Sequence, residues 1–212
     1  GEAREACKRD SRMFYQWALR YFVAGDTPRV VVVMGRPGTG KSTQAQALHD
    51  ALGWPIVSSD RVRKILADVP LHERPDAEPR AELYSSAMST RTYAGLADRA
   101  VAHAYENRST VLDATYSRRA TRQALRDRLQ SEGIPHVFVE LTAPDDALKN
   151  RLQARTDQPH GVSDARAEDF EMLTARYEAP NALEDDRHVQ VEADADPDTT
   201  TTAILKHLVR FK

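Results

Sequence analysis

The chain has 212 residues, 41% of them hydrophobic and 29% charged, with a formal net charge of −2. That size fits one α/β domain with a small appendage, and the charge balance excludes a global positive field drawing the chain to nucleic acid or an anionic membrane. Cys7 is the single cysteine, so an internal disulfide and a cysteine metal cluster are both excluded. No apolar run approaches ~18 residues and the first residues are charged, which predicts a cytoplasmic chain with neither a membrane-spanning helix nor a secretory leader.

Residues 3–23 read as a helix, with Met13, Phe14, Trp17, Ala18, Tyr21 and Phe22 recurring as one apolar stripe. Gly25-Asp26-Thr27-Pro28 breaks it, so 1–27 separates from a main domain over 28–212. Two readings of the stripe stand side by side: a helix packed on the domain's own surface, or a connector meeting a further N-terminal domain. Val30 to Met34 is β-branched and wholly apolar, the pattern of a parallel strand buried on both faces. A helix follows over Lys41–Leu52. Ile56-Val57 reads as a second strand, and Asp60–Ala67 as a short helix. The proline-rich stretch 70–79 reads as a loop.

A long helix over 81–106 points Leu83, Met88, Leu96 and Val101 inward. Thr110–Asp113 is a third strand, Arg118–Ser131 a helix, Val137–Leu141 a fourth strand, and Pro144–Arg155 a helix. A polar loop over 156–163 and a helix over 164–177 follow. Val189–Val191 is a short fifth strand, and Pro197 opens the last helix. Strands alternating with helices predict an α/β fold, a parallel sheet covered on both faces.

Gly35-Arg36-Pro37-Gly38-Thr39-Gly40-Lys41-Ser42 matches G-x-x-x-x-G-K-[ST] at every fixed position. Glycines let the backbone curl its N–H groups onto anionic oxygens, and the helix beginning at Lys41 adds its positive end. The motif assigns Gly35 to Thr43 to the phosphates of ATP, Lys41 to the β- and γ-phosphates, and the Ser42 hydroxyl to Mg²⁺. The Asn-Lys-x-Asp segment with which GTPases read guanine is absent, and Leu112-Asp113-Ala114 offers one carboxylate where motor ATPases carry an acidic pair. A kinase fits best.

Carboxyl ends of parallel strands face the ligand crevice, which places Asp60 and Asp113 near the γ-phosphate. Asp60 there takes the proton of an acceptor hydroxyl, or caps the following helix. Arg63, one turn on, is placed to hold a charged group of the acceptor. Asp113 holds Mg²⁺ through water and positions the acceptor, or is a plain turn residue. Thr115, Arg118, Arg119 and Arg122 follow it and either face the acceptor or form a solvated basic face. Arg151 and Arg155 share a helix face before the polar loop. They read as a nucleotide contact and as the lid arginine that stabilises charge on the transferring phosphoryl group, against surface pairing with Asp145 and Asp146. The lid spans about 151–168. The seven histidines are scattered, with His160 in the lid loop the one that draws notice.

The phosphate loop, Ser59-Asp60-Arg61-Val62-Arg63, Val111-Leu112-Asp113-Ala114-Thr115, the Arg151/Arg155 pair and Ser163-Asp164-Ala165 together resemble the gluconate-kinase-like P-loop kinases. That ATP-binding domain is often fused C-terminal to an aminoglycoside-phosphotransferase-like domain. The resemblance covers about residues 28–210. It implies sheet order 2-3-1-4-5, and it gives the helix 3–23 a meaning as a connector. More distantly the chain is similar to the kinase domain of phage-type polynucleotide kinases, through Asp60-x-x-Arg63 and Asp113-x-Thr115. There the aspartate activates a 5′-hydroxyl and the arginine reads a nearby phosphate. The expectation is a Mg-ATP-dependent kinase acting on a hydroxyl of a small molecule, an anionic one where the arginines meet it. A polynucleotide 5′-kinase and an ATP-binding regulatory module of a larger protein are the alternatives.

Overall fold

The computed structural model describes residues 2–25, 27–71, 82–156, 170–180, 187–193 and 196–211. Strands β1 (Val30–Gly35), β2 (Ile56–Ser58), β3 (Thr110–Asp113), β4 (His136–Thr142) and β5 (His188–Glu192) pair in parallel in the order β2-β3-β1-β4-β5. The order implied by the family resemblance is therefore the observed one. The helices are α1 (Glu2–Ala24), α2 (Lys41–Leu52), α3 (Ser59–Leu66), α4 (Ser86–Tyr105), α5 (Arg119–Ser131), α6 (Asp145–Thr156), α7 (Phe170–Ala175) and α8 (Pro197–Leu208). The lid loop after 156, with His160 and the Ser163-Asp164-Ala165 segment, and most of the proline-rich stretch 70–79 lie outside the described residues.

Every residue of β1 is buried, as an apolar strand without alternation requires. Its side chains still divide by the pleat. Val31 and Val33 point into a core with Ala45 and Leu48 of α2 and Ile204, Leu205 and Leu208 of α8. Val30, Val32 and Met34 point into a second core with Val62 of α3, Leu96 and Ala100 of α4, and Leu125 and Leu129 of α5. Helices on both faces follow from one strand that has no face to spare for water. A smaller cluster of Ala143, Leu148, Leu152 and Phe170 joins α6 to α7.

The first helix lies on the domain's own surface, but not through its aromatic stripe. It packs on the domain through Leu19 and Val23, with Gln16 Nε2 donating to Thr202 Oγ1 of α8 at 2.9 Å. Phe14, Trp17, Tyr21 and Phe22 point outward and are at least half exposed. No helix among the described residues is long and apolar enough to cross a membrane.

Leu96 is fully buried where α4 meets the sheet. Leu96→Ala is expected to cost about 3 kcal/mol and to lower the melting temperature by roughly 6–12 °C. Calorimetry checks this, and a shift below about 2 °C would contradict the packing.

Candidate active site

The loop between β1 and α2 is built around one carbonyl. Thr39 Oγ1 donates to the Arg36 carbonyl at 2.9 Å and Lys41 Nζ donates to it at 3.0 Å, so the lysine ammonium folds back over the loop. Gly38 has φ +84°, and a Cβ there would lie 2.9 Å from the Leu148 carbonyl and 3.3 Å from Leu152. The loop thus lies directly against α6, closer than any side chain permits. Helix α2 starts from Gly40 with no side-chain cap and no acidic residue in its first turn. Its leading N–H groups are therefore not capped by a side chain of the helix start. Ser42 and Thr43 are exposed on that turn, and Lys41 is half-buried. The Arg36 guanidinium turns away to Asp145 at the start of α6, 2.7 Å, and to the Ala143 carbonyl at 3.3 Å. Asp145 therefore pairs with Arg36 of the loop.

Sheet register aligns the carboxylates. Asp113 pairs with Val33 on one side and with Ser58 on the other, so β2 and β3 end in one row with Val33 of β1. Gly35 lies two residues past that row, and Asp60 two residues past Ser58. Ser58 occupies the N-cap position of α3, and half-buried Asp60 sits within its first turn. Asp113 is buried. Half-buried Thr115 accepts the Gly35 N–H on its carbonyl at 3.4 Å, joining the segment after β3 to the phosphate loop.

The arginines separate into distinct environments. Arg63 is 5% exposed. Its Nη1 donates to the Leu83 carbonyl at 3.1 Å and to Ser89 Oγ at 3.3 Å, and its guanidinium lies 4.6 Å from the Tyr84 ring centroid. Arg118 stands exposed at the N-cap of α5. Arg122, one turn later, is fully buried and donates from Nη1 to the Tyr116 carbonyl at 2.9 Å. Arg118 and Arg122 thus stand in different surroundings, the second held under the loop by the Tyr116 carbonyl. Arg151 Nη2 donates to the Ala193 carbonyl at 3.1 Å. It lines a cleft of about 380 Å³ with Pro144, Glu192, Ala193 and Thr199. Arg155 lies on the same helix, and its side chain is outside the description.

The sequence reading missed several residues here. Tyr116 adopts φ +46°, a strained conformation for a bulky side chain, while wholly buried. Its ring packs on Tyr93 at 4.9 Å and on Phe138 at 6.0 Å. Glu178 crosses back from the chain beyond α7: its N–H donates to the Ser117 carbonyl at 2.8 Å, and its carboxylate caps the Arg119 N–H at 2.7 Å. Beside it, Tyr177 Oη donates to buried Glu140 Oε1 at 2.7 Å, and His188 Nε2 lies 3.2 Å from the other oxygen. Burial foremost, then the bond to Glu140, pushes the Tyr177 phenol far above its usual range. Nothing in a local pattern marks these residues, since their partners are distant in the chain. Among the described residues no group of three or more His, Cys, Asp or Glu side chains gathers as a metal site.

Residues 30–180 match the model of the AAA domain family. The chain belongs to that family. Its P-loop kinase fold accounts for the similarities that follow. An uncharacterised protein of Mycobacterium tuberculosis is 31% identical over 150 residues, which take in 71% of this chain and 30% of that protein. The chain thus spans about a third of the length of this relative. The gluconokinase of Gluconobacter oxydans is 26% identical over 189 residues, covering 86% of this chain and 93% of that enzyme. Among solved structures, a gluconokinase from Sinorhizobium meliloti superposes with a TM-score of 0.62 at 20% identity, over 88% of this chain and 94% of that one. The likeness to gluconate-kinase-like proteins read from the motifs is borne out at the level of family and fold.

Gly38→Ala is expected to weaken ATP binding by about tenfold or more, because the added methyl and the positive φ both displace the loop from α6. Isothermal titration checks this, and an affinity equal to that of the parent chain would show that the loop accommodates a Cβ.

Proposed function

We propose that the chain is a kinase that moves the γ-phosphate of ATP to a hydroxyl of a small molecule, with Asp60 as the base. The observation that carries this reading is the row of strand ends. It brings the phosphate loop, Asp60 and Asp113 to one edge of the sheet, where a phosphoryl group on the loop and an acceptor over α3 can meet. The family and a gluconokinase relative support a small alcohol as acceptor.

In this reading the N–H groups from Gly35 to Thr43 and the Lys41 ammonium hold the phosphates. Lys41 leaves the Arg36 carbonyl to do so. The cleft beside Arg151 takes the nucleoside end. The Ser42 hydroxyl and the Asp113 carboxylate are hard oxygen donors of the kind Mg²⁺ prefers and would hold it. Mg²⁺ when bound supplies neutralising charge on the phosphate oxygens. Asp60 accepts the acceptor's proton as the new P–O bond forms. Arg63 holds an anionic group of the acceptor, Thr115 and Arg118 border the same pocket, and Arg122 fixes its floor through the Tyr116 carbonyl. Arg155 enters from the lid to stabilise the transferring group. A cytoplasmic setting supplies the Mg-ATP this chemistry consumes.

Turnover on D-gluconate, other small alcohols and a 5′-hydroxyl oligonucleotide, followed by ADP release, tests the reading. Label passing to the oligonucleotide alone would favour a polynucleotide kinase, and nucleotide binding without transfer to any acceptor would favour a regulatory module. Asp60→Asn is expected to lower kcat by about 10²–10⁴-fold while ATP affinity stays within about twofold, since the carboxylate contributes to proton transfer and not to phosphate binding. An undiminished rate removes Asp60 from the mechanism. Lys41→Met is expected to weaken ATP by about tenfold or more and to abolish turnover, with titration and rate measured on the same preparation.

A further inference from the structure

Helix α8 stands between two parts of the molecule. Thr199, Thr200 and Ala203 line the cleft beside Arg151. Ile204, Leu205 and Leu208 share a core with Ala45 and Leu48 of α2. Near the start of both helices a polar group joins this apolar contact. There Gln44 and Thr201 are buried, 4% and 5% exposed. The Thr201 hydroxyl lies 2.9 Å from Gln44 Oε1 and 2.8 Å from the Pro197 carbonyl, and donates between them. Gln44 Nε2 donates to the same carbonyl at 3.3 Å. Two side chains and one backbone oxygen thus close a polar bridge from α2 to α8.

A carboxamide and a hydroxyl taken out of water gain little net stability from bonding each other, and an apolar pair of the same shape would hold the helices together as well. What the bridge adds is direction. Apolar side chains tolerate small shifts past one another, whereas buried hydrogen bonds that are satisfied fix one arrangement. The arrangement fixed here joins two subsites. Gln44 follows Lys41, Ser42 and Thr43 at the start of α2, directly behind the phosphate loop. Thr201 belongs to the helix that borders the cleft, where the Thr199 N–H is held by the Asp196 carboxylate at 3.1 Å. The bridge therefore sets the distance from the phosphate loop to the cleft.

We infer that Gln44 and Thr201 are a positioning pair for the nucleotide: their bridge holds the cleft at the spacing at which one ATP molecule reaches both the cleft and the phosphate loop. This rests on the kinase reading above, in which the cleft takes the nucleoside end. The pair lies behind both subsites and acts through Thr199 and Thr200 on one side and the turn from Lys41 to Thr43 on the other. A ligand with two ends gains from its second contact only as far as the spacing of the two subsites matches it. Loosening the bridge therefore weakens a ligand that spans both subsites and spares one that occupies the loop alone.

The test titrates the full chain calorimetrically with two probes, Mg-ATP and Mg-tripolyphosphate. The parent chain is expected to bind Mg-ATP more tightly by about tenfold or more. Thr201→Val keeps the shape of the side chain and removes the hydroxyl, which leaves Gln44 Oε1 without its donor. It is expected to weaken Mg-ATP by about tenfold, while tripolyphosphate stays within about twofold of the parent. Thr201→Ser restores the hydroxyl and is expected to return Mg-ATP to within about threefold of the parent. Should Thr201→Val fail to fold, Gln44→Met removes the bridge from the α2 side and is read in the same way. Equal weakening of both probes, or no change in either, overturns the positioning role, since a merely structural contribution does not distinguish the two ligands. A parent chain that binds both probes alike overturns the nucleoside reading of the cleft, and the inference with it. One that binds neither overturns the nucleotide reading of the phosphate loop.

Discussion

The pairing of β1 with β3 on one side and β4 on the other is the constraint from which the rest of the molecule follows. A strand with no exposed residue needs two cores, and two cores need helices on both faces. The same pairing sets the register. With Val33, Asp113 and Ser58 level, the turns leaving β2 and β3 open at one height and that leaving β1 two residues further on. The site is therefore a product of sheet registration. A slip of one residue between β1 and β3 would turn Asp113 to the other face of the sheet and separate it from the phosphate loop.

The segment after β3 is the most heavily tied piece of irregular chain around this site. The Thr115 carbonyl takes Gly35, the Tyr116 carbonyl takes Arg122, and the Ser117 carbonyl takes Glu178. Loops keep their backbone groups in water unless the protein supplies partners. Here the partners come from the phosphate loop, the next helix and the chain returning from α7. The strain at Tyr116 is sustained by this surplus of fixed bonds. Through Glu178 the segment after β3 is joined to the chain that follows α7, and through Gly38 the phosphate loop is pressed on α6.

The fold was legible where side-chain pattern and backbone state agree. The five strands, the phosphate loop and the helix Lys41–Leu52 all announce themselves through β-branched runs, glycines and a helix start. Legibility failed where a residue's role is set from far away. Glu178 caps a helix that begins 59 residues earlier, and no neighbouring pattern signals it. Arg122 reads as the helical companion of Arg118 until the Tyr116 carbonyl appears beneath it. The positive φ of Tyr116 has no compositional mark, since glycine or asparagine is the usual signal. In α1 the large aromatics dominated the periodicity, yet the smaller Leu19 and Val23 make the contact with the core. Large exposed aromatics are compatible with a folded surface, since hydrophobic side chains contribute freely to it.

That division in α1 places the two tryptophans in opposite surroundings. Trp17 is 50% exposed on the outer face, whereas Trp54 is 7% exposed in the core, its carbonyl 2.7 Å from His49 Nδ1 just before β2. Their indoles emit from different media, one wet and one dry. Aqueous quenchers reach the first and leave the second dark to them. Anything that settles on the aromatic face of α1 shifts the Trp17 emission to the blue, and only the loss of the core shifts that of Trp54 to the red. The chain thus carries two intrinsic optical probes, one for its surface and one for its integrity.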